Sequence, residues 1–161
     1  MSIEGDKNRE AAFIPGNYGF YFDVDRDGHE DVLRLFENIG AGQYEGYTSE
    51  YVIQELNKAP EPKCSGMLSL VEKYRLAALD STPEIARLGK LYRARGIIPA
   101  SQHLDSLHVA AASVYELDCV ISYNFRHINR NKTRILVASV NKEEGYDGIM
   151  ICTAREVLND E

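Results

Sequence analysis

Apolar residues in this chain gather into short runs and helical stripes that alternate along its length, and turn-forming residues punctuate most of the changes. Ala11 to Ile14 is a compact apolar run stopped by Pro15-Gly16-Asn17, which reads as a short buried strand. Asp31 to Ile39 carries Val32, Leu33, Leu35, Phe36 and Ile39 at helical spacing, and Gly40-Ala41-Gly42 ends it. Gln43 to Thr48 reads as a second strand. Thr48 or Ser49 caps the next helix, which fades before Pro60 and Pro62, and Gly66 to Tyr74 supplies another. Leu76 to Asp80 reads as strand, and Thr82-Pro83-Glu84 joins a capping side chain to a proline at the first helical position, opening a helix through Arg93.

The second half continues the alternation. Ser101 starts a helix over His103 to Glu116, Cys119 to Tyr123 is strand, Asn131 to Glu143 helix, Gly148 to Cys152 strand, and Thr153 caps a short last helix. Repeated strand-helix units predict an α/β fold with a mainly parallel sheet covered by helices on both faces. Such sheets bind ligands beyond the carboxyl ends of their strands. Residues 11–161 read as one domain, preceded by a polar N-terminal extension over residues 1–10.

Composition narrows the class. With 161 residues and 44% hydrophobic content, the chain buries a sizeable core without covalent staples. Cys64, Cys119 and Cys152 are odd in number, far apart and form no C-x-x-C pair, so neither a disulfide framework nor a thiolate zinc site is indicated. No apolar run nears membrane-spanning length, and residues 1–10 hold no secretory hydrophobic segment; the expectation is a soluble, cytoplasmic protein. A net charge of -7 argues against a protein whose main role is to coat nucleic acid, because non-specific affinity comes from neutralised phosphates. Arg126, His127, Arg130, Lys132 and Arg134 nonetheless crowd together after Asn124, either as a solvated helix start or as a local basic lip. Neither G-x-G-x-x-G nor a phosphate-loop motif occurs, which disfavours a nucleotide-binding enzyme.

Three oxygen-bearing side chains stand against apolar neighbours at the ends of predicted elements. Val52, Glu55, Leu56 and Ala59 occupy i, i+3, i+4 and i+7, so Glu55 falls within the inward stripe of its helix, or at its edge with the carboxylate in water. Asp105 lies in the first turn of a helix buried through Leu104, Leu107, Ala111 and Val114, where the helix dipole favours its ionised form by about 0.3–1 kcal/mol. His108 either orients Asp105 or is a helix-surface histidine, the latter being favoured. Asn124 follows a strand where a doubly wound sheet presents ligands. Its amide oxygen can bind a metal or a metal-held water, or the residue serves only to form a turn.

Together these segments resemble the PIN-domain family, the fold of VapC-like toxins and related RNA-cutting nucleases. Asp105-Ser106-Leu107-His108-Val109-Ala110 is similar to the family's D-A-L-H-I/L-A run, and Ile121-Ser122-Tyr123-Asn124-Phe125-Arg126-His127-Ile128 to the L-S/T-W-N-F-K-H-I/L run of one subgroup. Gly145-Tyr146, the strand Ile149 to Cys152, Thr153 and Glu156-Val157 fit that subgroup's ending, and the likeness spans roughly Tyr44 to the C-terminus. It implies a three-layer α/β/α sandwich, Mg²⁺ or Mn²⁺ held by acidic residues, and hydrolysis of RNA phosphodiesters. On that pattern Glu55, Asp105 and Asn124 are the catalytic and metal-binding residues. It further implies an antitoxin partner and a homodimer.

One departure stands at the front. Members of the family open with a strand ending in I-D-T-N/S, whose Asp is a principal metal ligand. Here Phe13-Ile14-Pro15-Gly16-Asn17 aligns Asn17 with the T-N/S position and leaves Pro15 where the Asp belongs. Asp23 or Asp25 could substitute, although both read better as exposed loop acids. Asp23-Val24-Asp25-Arg26-Asp27-Gly28 also resembles the start of a calcium loop, but its twelfth position is Arg34, not Glu, which disfavours a calcium site. The alternative to a ribonuclease is therefore a degenerate PIN-fold protein that binds protein or RNA without catalysis.

Overall fold

Five short strands and eight helices alternate along the residues that the computed structural model describes, 9–16 and 18–159. Residues 1–8 of the expected extension, and Asn17 of the family alignment, lie outside the described residues; Glu10 already belongs to the first strand. The strands are β1 (Glu10–Phe13), β2 (Tyr44–Ser49), β3 (Ala77–Leu79), β4 (Cys119–Ile121) and β5 (Met150–Cys152). They form one sheet in the order β3-β2-β1-β4-β5, and every pairing is parallel. The helices are α1 (Tyr18–Phe22), α2 (His29–Gly40), α3 (Glu50–Asn57), α4 (Lys63–Lys73), α5 (Pro83–Ala94), α6 (His103–Val114), α7 (Asn131–Glu143) and α8 (Ala154–Asn159).

The strand order positions everything else. From β1 the chain steps outward to β2 and β3, then crosses the sheet to β4 and steps on to β5. Since parallel crossovers are right-handed, this one reversal puts α1, α2, α3 and α4 on the side of the first two crossovers and α5, α6 and α7 on the other. The result is the expected three-layer sandwich. Phe13 stands beside Tyr47 and Val120 on one face of the sheet, and Ala12 beside Gly46 and Cys119 on the other, so its middle is apolar on both faces.

Local chemistry explains most boundaries. The Ser49 hydroxyl accepts the Val52 N–H at 3.2 Å and caps α3, and Thr82 does the same for Ile85 at the start of α5, with Pro83 in the first turn. Helix α6 begins from Gln102 instead of Ser101. The turn in which the Gln102 N–H donates to the Pro99 carbonyl takes up the serine. Helix α1 is an element the hydrophobic pattern did not reveal, because five residues are too few to display a helical period. Of its aromatics, Phe20 is buried, Tyr21 stands edge-on to Phe36 and Tyr74, and Phe22 is 51% exposed. The Tyr18 hydroxyl is buried and hydrogen-bonds the Ile14 carbonyl at 2.9 Å and the Thr48 hydroxyl at 3.1 Å, tying the exit of β1 to β2.

Candidate active site

At the carboxyl ends of β1 and β4, where the strand order reverses, the surface opens into a cleft of about 160 Å³. Pro15 and Gly16 line it from the exit of β1, Glu55 from α3, Asp105 and His108 from α6, and Ile121, Ser122, Asn124 and Ile128 from β4 and the following turn. Glu55, Asp105 and Asn124, separated by up to 69 positions in the chain (124 − 55), thus share one concavity. A larger cleft of about 610 Å³ lies beside Arg9, Tyr44, Glu45, Lys73 and Arg75, where Glu45 is its one acid and that acid is paired with Arg9 at 3.0 Å. The smaller one therefore concentrates the chemistry.

Each side chain is held by its own element. Glu55 stands at the edge of the buried stripe of α3, its side chain 40% exposed, so the carboxylate reaches solvent instead of being fully desolvated. Its Oε2 lies 3.2 Å from Nε2 of His108. A carboxylate accepts only, so Nε2 carries the proton. His108 is buried with a side chain 4% exposed, which corrects the expectation of a surface histidine. The reason is that α6 is a central helix: from Ser106 to Val114 all of its residues are buried, and no outward face remains for His108 to occupy. Its position four residues after Leu104, within the apolar stripe, was the available signal. Nδ1 of His108 is also buried and makes no hydrogen bond among the described residues.

Asp105 is half-buried, and Nδ2 of Asn124 donates to its Oδ2 at 3.1 Å. Burial raises the Asp105 carboxyl above its ordinary value; His108 pulls it back, Glu55 pushes it further up, and His127 and the Asn124 bond lower it. Asn124 itself is fixed by the turn. Its Oδ1 accepts the His127 N–H at 3.0 Å, its carbonyl accepts from Ile128 and Asn129, and its own N–H donates to the Ser122 hydroxyl. The amide therefore presents its NH₂ to Asp105, while Oδ1 keeps one lone pair beyond the turn bond. The two readings of Asn124, turn former and site residue, apply at once.

Pro15 is buried in the cleft wall, at the end of the strand where the family pattern has an acid. Asp23, Asp25 and Asp27 are exposed and do not line the cleft. Among the described residues no three His, Cys, Asp or Glu side chains are grouped to hold a metal ion. What the cleft offers a cation is two neighbouring carboxylates, one of them burdened by burial and by the other's charge. That donor set fits Mg²⁺ or Mn²⁺ at its minimum, since such ions keep several waters and complete their shell with phosphate oxygens.

No protein-family model matches the sequence. No curated protein matches it either. Solved structures match in fold. A chain of VapBC2 from Rickettsia felis, bound to a DNA fragment from its promoter, aligns with a TM-score of 0.53 and 15% identity, over 88% of this chain and 96% of its own. A chain of DNA-bound VapBC from Salmonella typhimurium aligns with a TM-score of 0.54 and 17% identity, over 91% and 98% respectively. With the all-parallel sheet and its flanking helices, this likeness establishes a PIN-like α/β/α sandwich of the kind found in those complexes. No helix among the described residues is long and apolar enough to cross a membrane.

Proposed function

We propose that the protein is a metal-dependent endoribonuclease that hydrolyses RNA phosphodiesters as the toxin of a toxin-antitoxin pair. The observation that carries this reading is the meeting of Glu55 and Asp105, from two helices, in one cleft beyond the strand ends of a PIN-like sheet. Those two carboxylates would hold Mg²⁺ or Mn²⁺. When bound, such an ion polarises a phosphate and lowers the pKa of an attacking water. The remaining residues arrange the donors. The Asn124 NH₂ holds Asp105 in place, His108 holds Glu55, and Pro15, Ile121 and Ile128 give the cleft an apolar wall that limits water.

The structural neighbours are VapBC assemblies, which supports an antitoxin-like protein partner for this chain; a homodimer and a cytoplasmic setting belong to the same reading. A second reading is favoured by Pro15: a PIN-fold module that binds protein or RNA without cleaving it, because two carboxylates in place of three weaken the hold on a dication. Calorimetric titration of Mn²⁺ into wild type and Asp105→Asn, with an RNA cleavage assay in excess metal, decides between them. Heat and cleavage in wild type, both lost in the variant, are expected. Absence of both in wild type removes the nuclease, and equal heats in the two proteins remove the site.

A further inference from the structure

Beside the cleft the chain reverses its overall charge. From Asn124 to Arg134 it carries four arginines and lysines and no acid, in a protein of net charge -7. Arg126, Arg130 and Lys132 are exposed. The ion pairs among the described residues are Arg9–Glu45, Arg87–Glu144, Arg95–Glu143 and His108–Glu55, so none of these three cations is neutralised by a carboxylate. In the same turn Phe125 is 58% exposed, one of the few large apolar side chains so displayed.

Phe125 is exposed but well held. Its N–H donates to the Tyr123 carbonyl at 3.0 Å, and the Asn124 carbonyl accepts from Ile128 and Asn129 just beyond. Its ring stands edge-on to Tyr123, with centroids 6.2 Å apart, and Tyr123 leans on Phe20 at 4.8 Å. The Phe20 ring is covered in turn by the Arg26 guanidinium at 4.0 Å. An apolar ring fixed on an aromatic row, one residue from Asn124 and flanked by cations that no carboxylate neutralises, has the composition of a single-strand platform: bases stack on the ring while cations follow the phosphates.

We infer that Phe125 stacks a base of single-stranded RNA next to the phosphate that enters the cleft, with Arg126, Arg130 and Lys132 tracking the backbone. This rests on the RNA reading of the cleft. A base paired within a duplex has no free face to offer the ring, so duplex RNA is the control for stacking at Phe125. Phe125 is here a positioning residue, and no bond in the substrate changes at it.

The test is fluorescence anisotropy of a short labelled single-stranded RNA, and of the same RNA in duplex, titrated with the full chain in chelator so that binding is read without turnover. Phe125→Ala is expected to weaken single-strand binding about 5- to 150-fold, the span of one lost stacking contact, while duplex binding stays unchanged. Phe125→Leu should behave as Ala and Phe125→Tyr as wild type. Replacing Arg126, Arg130 and Lys132 together by Gln should flatten the plot of log affinity against log salt by about 2, for three phosphate contacts. Unchanged single-strand affinity in Phe125→Ala overturns the inference and leaves the nuclease standing. So does a Phe125→Ala protein that loses only self-association in ultracentrifugation, since the ring then covers a second copy. A wild type that binds no RNA at all overturns the reading of the cleft itself.

Discussion

Replacing Pro15 by Asp would put a third carboxylate into the cleft wall that Glu55 and Asp105 share. No lysine or arginine lines the cleft, and its imidazole, His108, already serves Glu55, so in chelator the new acid gains no partner. A buried charge left without a partner costs about 3–5 kcal/mol, and loss of the proline adds about 0.4–1 kcal/mol by loosening the unfolded chain. For a domain of this length each kcal/mol moves the melting temperature by about 2–4 °C, so Pro15→Asp should melt roughly 7–24 °C below wild type in chelator. On the proposed reading Mn²⁺ offsets part of this loss. At a hundred times the dissociation constant it returns about 2.7 kcal/mol, or roughly 5–11 °C. Pro15→Asn serves as the control, since it removes the ring and adds an amide oxygen without charge. Thermal melts followed by circular dichroism, with chelator and with Mn²⁺, give the comparison. Should wild type, Asn and Asp variants all rise equally with Mn²⁺, Pro15 does not face the ion and the reasoning fails.

Other substitutions probe the same architecture. Because the folded Asp105 carboxyl sits above its ordinary value of 3.8, the folded state holds that proton longer than the unfolded state, and stability falls as pH climbs from the ordinary value through the raised one. Asp105→Asn should therefore melt higher than wild type at pH 7, with the gap closing below about pH 4; a variant that melts lower at neutral pH contradicts this. Tyr92→Phe removes a buried hydroxyl that touches Asn141 Oδ1 and lies 3.3 Å from Ser113 Oγ, so it should cost about 1–3 kcal/mol in urea unfolding, and an unchanged midpoint would show that the amide finds another donor. Ser49→Ala strips the cap of α3 and should cost about 1 kcal/mol, whereas Ser49→Gly should cost only a few tenths; equal losses would separate the serine from capping.

Elements with strong punctuation were legible in the sequence, and elements built by tertiary contacts were not. Thr82-Pro83 and Ser49 fix helix starts through bonds within three residues, and these fall where the pattern places them. β1, β3, β4 and β5 emerge because each lies in an apolar run between turn signals, although β3, β4 and β5 pair over only three residues each, whereas β2, with Glu45, Gly46 and Thr48, is a polar strand read from its place between two helices. Helix α1 escapes because what holds it is remote: Tyr18 bonds to Thr48, and Phe20 packs on Tyr123. At the cleft the motifs place Glu55, Asp105 and Asn124 near one another. Two things lie outside their reach: that α6 is buried all round, and that the Asn124 amide turns its NH₂ to Asp105 because the His127 N–H claims its oxygen. Burial of a helix on every side depends on its neighbours and leaves no period to read.

The earliest of the described strands along the chain is the middle strand of the sheet. Its outer neighbour on one side arrives with Tyr44, but Ala12 and Phe13 meet Cys119 and Val120 on the other, and the Ala11 N–H bonds the Asp118 carboxylate at 2.7 Å across 107 positions. At the usual pace of translation that half of the strand waits on the order of ten seconds for its mate. Throughout that interval an apolar edge lies open to whatever strand comes first. Synthesis past Ile121 is thus the earliest moment at which β1 can gain its second neighbour, and slow elongation between β1 and β4 should favour aggregates over native molecules.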